Sequence, residues 1–157
     1  MTDPSLIHAE TRQWLTHSGE ETEALGARLL GIPGKPGAPC KVVSLSGELG
    51  AGKSTFARGA LRALGVQGPI KSPSYTLLET YELPAVHAVH LDLYRLVDPS
   101  ELEHLGLSDY YRPGFLWLIE WPERGAGRLP PPDLGFEFSI TENGHRIERI
   151  ETSTATK

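Results

Sequence analysis

Residues 42–64 read VVSLSGELGAGKSTFARGALRAL, and this stretch decides the fold. Its first part, Val42-Val43-Ser44-Leu45-Ser46, is short, β-branched and mostly apolar, the pattern of a strand buried in a sheet. Its last part is helical from Lys53 to Leu64. Phe56, Ala60 and Leu64 recur at helical spacing with Ala57 and Leu61 beside them, and Gly65 is the expected stop. Between them, Gly47-Glu48-Leu49-Gly50-Ala51-Gly52-Lys53-Ser54 matches G-x-x-x-x-G-K-[ST], the phosphate-binding loop. Its glycines let the backbone point several amides inward. Those amides and the helix N-terminus offer positive charge to a phosphate chain. Lys53 is placed to reach the β- and γ-phosphates, the Ser54 hydroxyl to give Mg²⁺ one hard oxygen ligand, and Thr55 to donate to the α-phosphate. The expectation is an α/β fold that binds a nucleoside triphosphate through Gly47, Leu49, Gly50, Ala51, Gly52, Lys53, Ser54 and Thr55. The motif alone separates neither ATP from GTP nor hydrolysis from transfer to an acceptor.

Such a site needs a carboxylate near the metal, at the end of a buried strand. Phe115-Leu116-Trp117-Leu118-Ile119 is a continuous apolar run that ends in Glu120. Residues 86–94 (VHAVHLDLY) alternate, with Val89, Leu91 and Leu93 on one face and His90, Asp92 and Tyr94 on the other. In an open parallel sheet the ligand sits at the carboxyl ends of strands, so Asp92 and Glu120 can converge on the edge that carries the loop. Without the loop, each would read as an ordinary strand-end acid. The segment Lys71-Ser72-Pro73-Ser74-Tyr75-Thr76 follows the loop's helix, where a nucleotide-sensing switch would lie, and Ser74 and Thr76 offer hydroxyls. His87 and His90 are three apart on a strand, face opposite sides and cannot share a metal.

The rest of the chain is consistent with one domain spanning residues 1–157, with residues 1–5 and 152–157 expected to fray. Residues 6–17 leave a strand open, and Ser18-Gly19-Glu20-Glu21 reads as a capping box for a helix to about Leu30. Residues 31–40 form a Pro/Gly loop, 77–83 a strand, and Asp98-Pro99 opens an expected helix with Leu102 and Leu105 inward. Residues 122–135 are loop, and 136–140 with 145–151 form a hairpin around Asn143-Gly144. Lys plus Arg number 15 against 20 Asp plus Glu, so the chain carries a net charge of −5. It is therefore a poor stand-alone binder of a nucleic-acid backbone. A single cysteine, Cys40, excludes an internal disulfide. No apolar run suits a membrane span or signal peptide, and a cytoplasmic location is expected.

Further landmarks stand in a fixed order: EETEALG (20–26), GELGAGKST (47–55), SPSYTL (72–77), HLDLYRL (90–96), LEHLGLSDYY (102–111) and LIEWPE (118–123). In these the chain resembles the TsaE (YjeE) family, small P-loop ATPases of tRNA threonylcarbamoyladenosine synthesis, from about Ser18 to Ile150. The resemblance implies a P-loop NTPase-like α/β sandwich with a mixed, mainly parallel central sheet flanked by helices. It implies ATP and Mg²⁺ as cofactors, with Lys53 and Ser54 at the phosphate and metal positions. Glu120 matches the Walker B-type acid and Asp92 the acid thought important for hydrolysis. Ser18–Thr22, with Gly19 and Thr22, matches a region holding the adenine end, and Trp121 the tryptophan beside the acid. Ser74, Tyr75 and Thr76 fall in the family's switch, where Ser74 stands in place of the usual threonine and keeps the hydroxyl. The implied partners are the threonylcarbamoyl transferase subunit (TsaD) and its paralogue (TsaB), with tRNA engaged through that complex.

Two other functions fit the phosphate loop. A small-molecule kinase would use Arg124 and Arg128 as a basic lid. A nucleotide-gated binding module would need no turnover. A GTPase is disfavoured because no N-K-x-D tetrapeptide occurs.

Overall fold

The computed structural model describes residues 12–152. The expected fraying of residues 1–5 and of the tail 152–157 falls, apart from Thr152, outside the described residues. In chain order the elements are β1 (Gln13–Thr16), α1 (Gly19–Leu30), β2 (Lys41–Gly47), α2 (Lys53–Leu64), β3 (Leu78–Glu82), β4 (His87–Asp92), β5 (Phe115–Glu120), β6 (Leu134–Thr141) and β7 (Gly144–Ile150). All strands join one seven-stranded sheet in the order β1-β7-β6-β2-β5-β4-β3. The central strands β6, β2, β5 and β4 are parallel, whereas β3 pairs with β4, β7 with β6 and β1 with β7 antiparallel. The sheet is thus mixed in equal measure rather than mainly parallel. For two of the three antiparallel pairs the cause is connection length: β3–β4 and β6–β7 are joined by short turns, and a short turn can only reverse the chain, whereas β1 pairs with β7 from the far end of the chain.

The sheet's two faces are covered differently. On one, α1 and α2 lie over Val43, Leu45, Leu118, Phe136 and Phe138. Phe56 of α2 is fully buried there, its ring centroid 5.2 Å from those of Phe136 and Phe138. The opposite face buries Val42, Val89, Leu91, Trp117 and Ile119 beneath Leu102 and Leu107, which come from 3₁₀ turns rather than a second helical layer. Helices therefore cover one face, a correction to the expectation of a sheet flanked by them. The start near Asp98 forms as expected, since the Asp98 carboxylate accepts the Ser100 amide at 3.0 Å and Pro99 opens the turn. Gly106 then breaks the segment into two pieces too short for α-helix. Among the described residues no helix is long and apolar enough to cross a membrane.

The two helices approach closely at glycines. A Cβ on Gly26 would stand 2.1 Å from the Phe56 carbonyl oxygen, and one on Gly59 would stand 2.0 Å from that of Glu23. Both distances are far inside van der Waals contact. Arg58 and Glu23 pair across the same crossing at 2.9 Å.

The N-terminal cap of α1 forms, with one difference in register. The Ser18 hydroxyl accepts the Glu21 amide at 3.1 Å, but the Glu21 carboxylate reaches the amide of His17 at 2.7 Å. Ser18→Ala should lower stability by about 1 kcal/mol, the ordinary worth of such a cap. Urea unfolding of the two proteins measures it. The closing hairpin is also shifted by one residue. Thr141 pairs with Gly144, so Glu142 and Asn143 make the turn. Gly144 is instead needed where β1 passes, since a Cβ there would lie 2.2 Å from the Thr16 oxygen.

Candidate nucleotide-binding site

Because β2, β4 and β5 run parallel, their last residues Gly47, Asp92 and Glu120 emerge at one edge of the sheet. Asp92 and Glu120 are register partners on neighbouring strands, so their side chains leave the same edge on the same face. The chain leaves β2, loops through residues 48–52 and enters α2. Gly52, immediately before the helix, has φ +108°, a conformation that glycine takes without a Cβ clash. Ala51 is fully buried beneath the loop.

Lys53 is the first residue of α2. Its side chain folds back so that Nζ donates to the carbonyl oxygens of Gly47 at 2.7 Å and Glu48 at 2.6 Å. The ammonium also lies 4.3 Å from the centroid of the Trp121 ring. Burial lowers the Lys53 pKa below the ordinary lysine value, while the Glu120, Glu123, Asp92 and Glu48 carboxylates work against that shift. Trp121 adopts φ +59°, a left-handed conformation that directs the chain into the short turn Pro122–Gly125 straight after Glu120. The Tyr94 ring lies 5.0 Å from the Trp121 ring.

Each acid is held by named donors. The Ser54 hydroxyl donates to Glu120 Oε1 at 2.7 Å, and His90 Nε2 lies 2.7 Å from Glu120 Oε2. Asp92 accepts the Ser72 hydroxyl on Oδ2 and the Tyr94 amide on Oδ1, the latter at 3.1 Å. Asp92 also ties to the loop before β3 through its own amide, which donates to Leu77 oxygen at 3.1 Å.

Around these groups opens a cavity of about 300 Å³. Of the residues expected from sequence, Gly19, Thr22, Leu49, Gly50, Gly52, Lys53, Ser54, Thr55, Ser74, Asp92, Glu120 and Trp121 all line it. Gly47 and Ala51 do not line it: Ala51 is buried in the core, and Gly47 meets the site through its carbonyl oxygen, which accepts from Lys53. The Thr22 hydroxyl is already engaged, 2.7 Å from that of Thr16, so Thr22 offers the cavity chiefly shape. Tyr75 and Thr76 do not line it and border a neighbouring hollow with Glu79 and Tyr81. Tyr75 is exposed, with the Arg95 guanidinium 4.3 Å from its ring centroid and bonded to its hydroxyl at 3.1 Å. Of this segment, Ser72 and Ser74 face the cavity, one on each side of Pro73. Sequence reasoning missed Ser72, His145 and His90. The first two line the cavity, and His90 stands behind Glu120. The period-two alternation of residues 86–94 already put His90 on the face of Asp92. Nothing local signals His145, which the last strand brings in from far along the chain.

The chemistry of these donors suits a small, hard cation held between protein and phosphate. Ser54 and Glu120 supply one hydroxyl and one carboxylate in mutual contact, and Mg²⁺ takes one or two such side chains with phosphate and water completing its shell.

The family model described as "Threonylcarbamoyl adenosine biosynthesis protein TsaE" matches residues 16–150. The chain belongs to the TsaE family. The family's role is in tRNA threonylcarbamoyladenosine biosynthesis. Among TsaE proteins, that of Haemophilus influenzae is 46% identical over 109 residues, covering 69% of each chain. That of Bacillus subtilis is 34% identical over 148 residues, covering 88% of this chain and 90% of its own. The crystal structure of Bacillus subtilis YdiB superposes with a TM-score of 0.69 at 26% identity, over 87% of this chain and 82% of that one. The segments GELGAGKST (47–55), HLDLYRL (90–96) and LIEWPE (118–123), all within the matched range, build the loop edge described above.

Proposed function

We propose that this chain is one P-loop ATPase domain that binds and hydrolyses Mg²⁺-ATP, and that this cycle drives the threonylcarbamoyl transferase complex in modifying tRNA. The observation that carries the reading is the contact of Ser54 with Glu120, beside Asp92 and Lys53, at the mouth of a phosphate loop. A hydroxyl and a carboxylate held together at a helix N-terminus form half of a Mg²⁺-triphosphate site.

In this reading the loop amides and Lys53 hold the β- and γ-phosphates, and Lys53 exchanges its two carbonyl partners for phosphate oxygens. Bound Mg²⁺ neutralises charge that develops between the phosphates. Ser54 and Glu120 hold that ion. Asp92, its carboxylate fixed by Ser72 and the Tyr94 amide, is the acid set to orient the attacking water. Gly19 and Thr22 line the cavity and would hold the adenosine. The substrate of modification is reached indirectly. The net charge of −5 gives the surface little hold on an RNA backbone, so the transferase subunit and its paralogue hold the tRNA.

Both arginines of the kinase alternative already have partners within the chain, which favours the ATPase reading. Arg124 donates to the Tyr94 carbonyl at 2.8 Å and lies over Trp121, and Arg128 pairs with Glu103 at 2.8 Å.

The deciding experiment is phosphate release from ATP, measured for the chain alone and with the two partners and tRNA. Slow turnover alone and stimulated turnover in the complex are expected. Transfer of the γ-phosphate to a metabolite would refute the reading. Glu120→Gln should reduce hydrolysis on the order of a hundredfold. It should still bind ATP, because the loop amides and Lys53 remain. If that variant supported tRNA modification at the wild-type rate, the binding-module reading would replace this one.

A further inference from the structure

The buried pair of His90 and Glu120 is not explained by the P-loop alone. Both side chains are 2% exposed, and Nε2 lies 2.7 Å from Oε2. The other ring nitrogen, Nδ1, is buried with no hydrogen-bond partner, the one such side-chain atom among the described residues. A proton on Nδ1 alone would leave a buried N–H unpaired and set the Nε2 lone pair against the carboxylate, two unfavourable contacts at once. Nε2 therefore carries the proton, and it does so in either charge state of the ring. His90 is a one-way donor, aimed at one oxygen of Glu120.

Glu120 then has its two oxygens in different hands. Oε1 meets Ser54, the hydroxyl next to the phosphate-binding lysine, and Oε2 meets His90. Without the second bond, the carboxylate could rotate about its last torsion, which is broad and roughly two-fold. We propose that His90 is a positioning residue for the metal: it clamps the rear oxygen of Glu120 so that the other faces the cation beside Ser54. This inference rests on the Mg²⁺-ATP reading above. Support is architectural as well. His90 and Asp92 are two apart on β4, so one strand face delivers both the clamp for one acid and the second acid itself.

The test is the Mg²⁺ dependence of ATP binding, followed by calorimetry from EDTA to saturating Mg²⁺, in wild type, His90→Gln, His90→Asn and His90→Leu. The glutamine amide nitrogen takes the place of Nε2 and can donate to Glu120. The asparagine amide takes that of Nδ1 and falls short, and leucine cannot donate. His90→Gln should keep the wild-type Mg²⁺ midpoint. His90→Asn and His90→Leu should raise it about tenfold or more, as loss of a ligand's outer partner does. Affinity for ATP in EDTA should be the same in all four. If His90→Leu does not fold, the contrast between Gln and Asn decides. Equal midpoints across the folded variants would overturn the clamp, as would an equal loss of ATP affinity with and without Mg²⁺. A wild type that binds no ATP at any Mg²⁺ concentration would instead overturn the nucleotide reading beneath it.

Discussion

Lys53→Ala should weaken ATP binding by about a hundredfold, with little change in the melting temperature. Hydrogen bonds to charged groups are worth about 1.5–3 kcal/mol each, and each 1.4 kcal/mol is a tenfold change in affinity. In the wild type, Lys53 is buried and holds two carbonyl oxygens at 2.7 and 2.6 Å. The loop therefore keeps the ammonium at its mouth. Removing it deletes those two hydrogen bonds but also the cost of keeping a cation buried, so the two offset each other in the fold and not in the binding. Calorimetric titration of ATP measures the first effect and thermal melting the second. Unchanged affinity would refute the assignment. The same residue sets a pH limit. Burial lowers its pKa from the ordinary 10.5, and only the protonated form attracts phosphate. Wild-type affinity should therefore start to fall, as pH rises, below the pH at which a free lysine would lose its proton.

Gly59→Ala is the second large expectation, and it concerns the fold. The added methyl would lie 2.0 Å from the Glu23 carbonyl oxygen and 2.6 Å from its carbon, both backbone atoms of α1. Rotating a side chain cannot relieve that contact, so the helices must move apart. Overpacking of this kind costs on the order of 3 kcal/mol. Alanine's better helix propensity returns about 1 kcal/mol. The clash wins, and a net loss of about 2 kcal/mol follows, or about 4–8 °C in melting temperature for a chain of this size. A variant as stable as the wild type would mean that the helices do not cross at these two glycines.

These two residues also mark where sequence and structure part company. Lys53 was legible because its neighbours are local: strand, loop and helix lie within residues 41–64, and the motif specifies all three. The helix Lys53–Leu64 and the acids at the ends of β4 and β5 were legible for the same reason, through periodicity and an apolar run followed by a carboxylate. Gly59 was not, because a glycine inside a helix reads as a weak position until the partner backbone is seen against it. The segment after Asp98 misled in the opposite way. Its cap and proline are real, but Gly106 ends the helical tendency before a full α-helix forms. Tyr75 and Thr76 share a loop with Ser74, and only the path of the chain shows that they leave the cavity to it.

The amino-acid sequence thus determined what depends on near neighbours: the phosphate loop, its helix, and the strands that end in Asp92 and Glu120. Tertiary structure alone decided what depends on atoms far apart in the chain. Thirty residues separate His90 from the carboxylate it holds. His145 reaches the cavity from the last strand, and the sheet becomes mixed because two of its pairs, β3–β4 and β6–β7, turn back sharply and β1 adds antiparallel to β7 from the other end of the chain. The physical reason is one of range. Backbone conformation and side-chain periodicity are written in successive residues, whereas a buried hydrogen bond or a 2 Å exclusion exists only once packing has brought its two halves together.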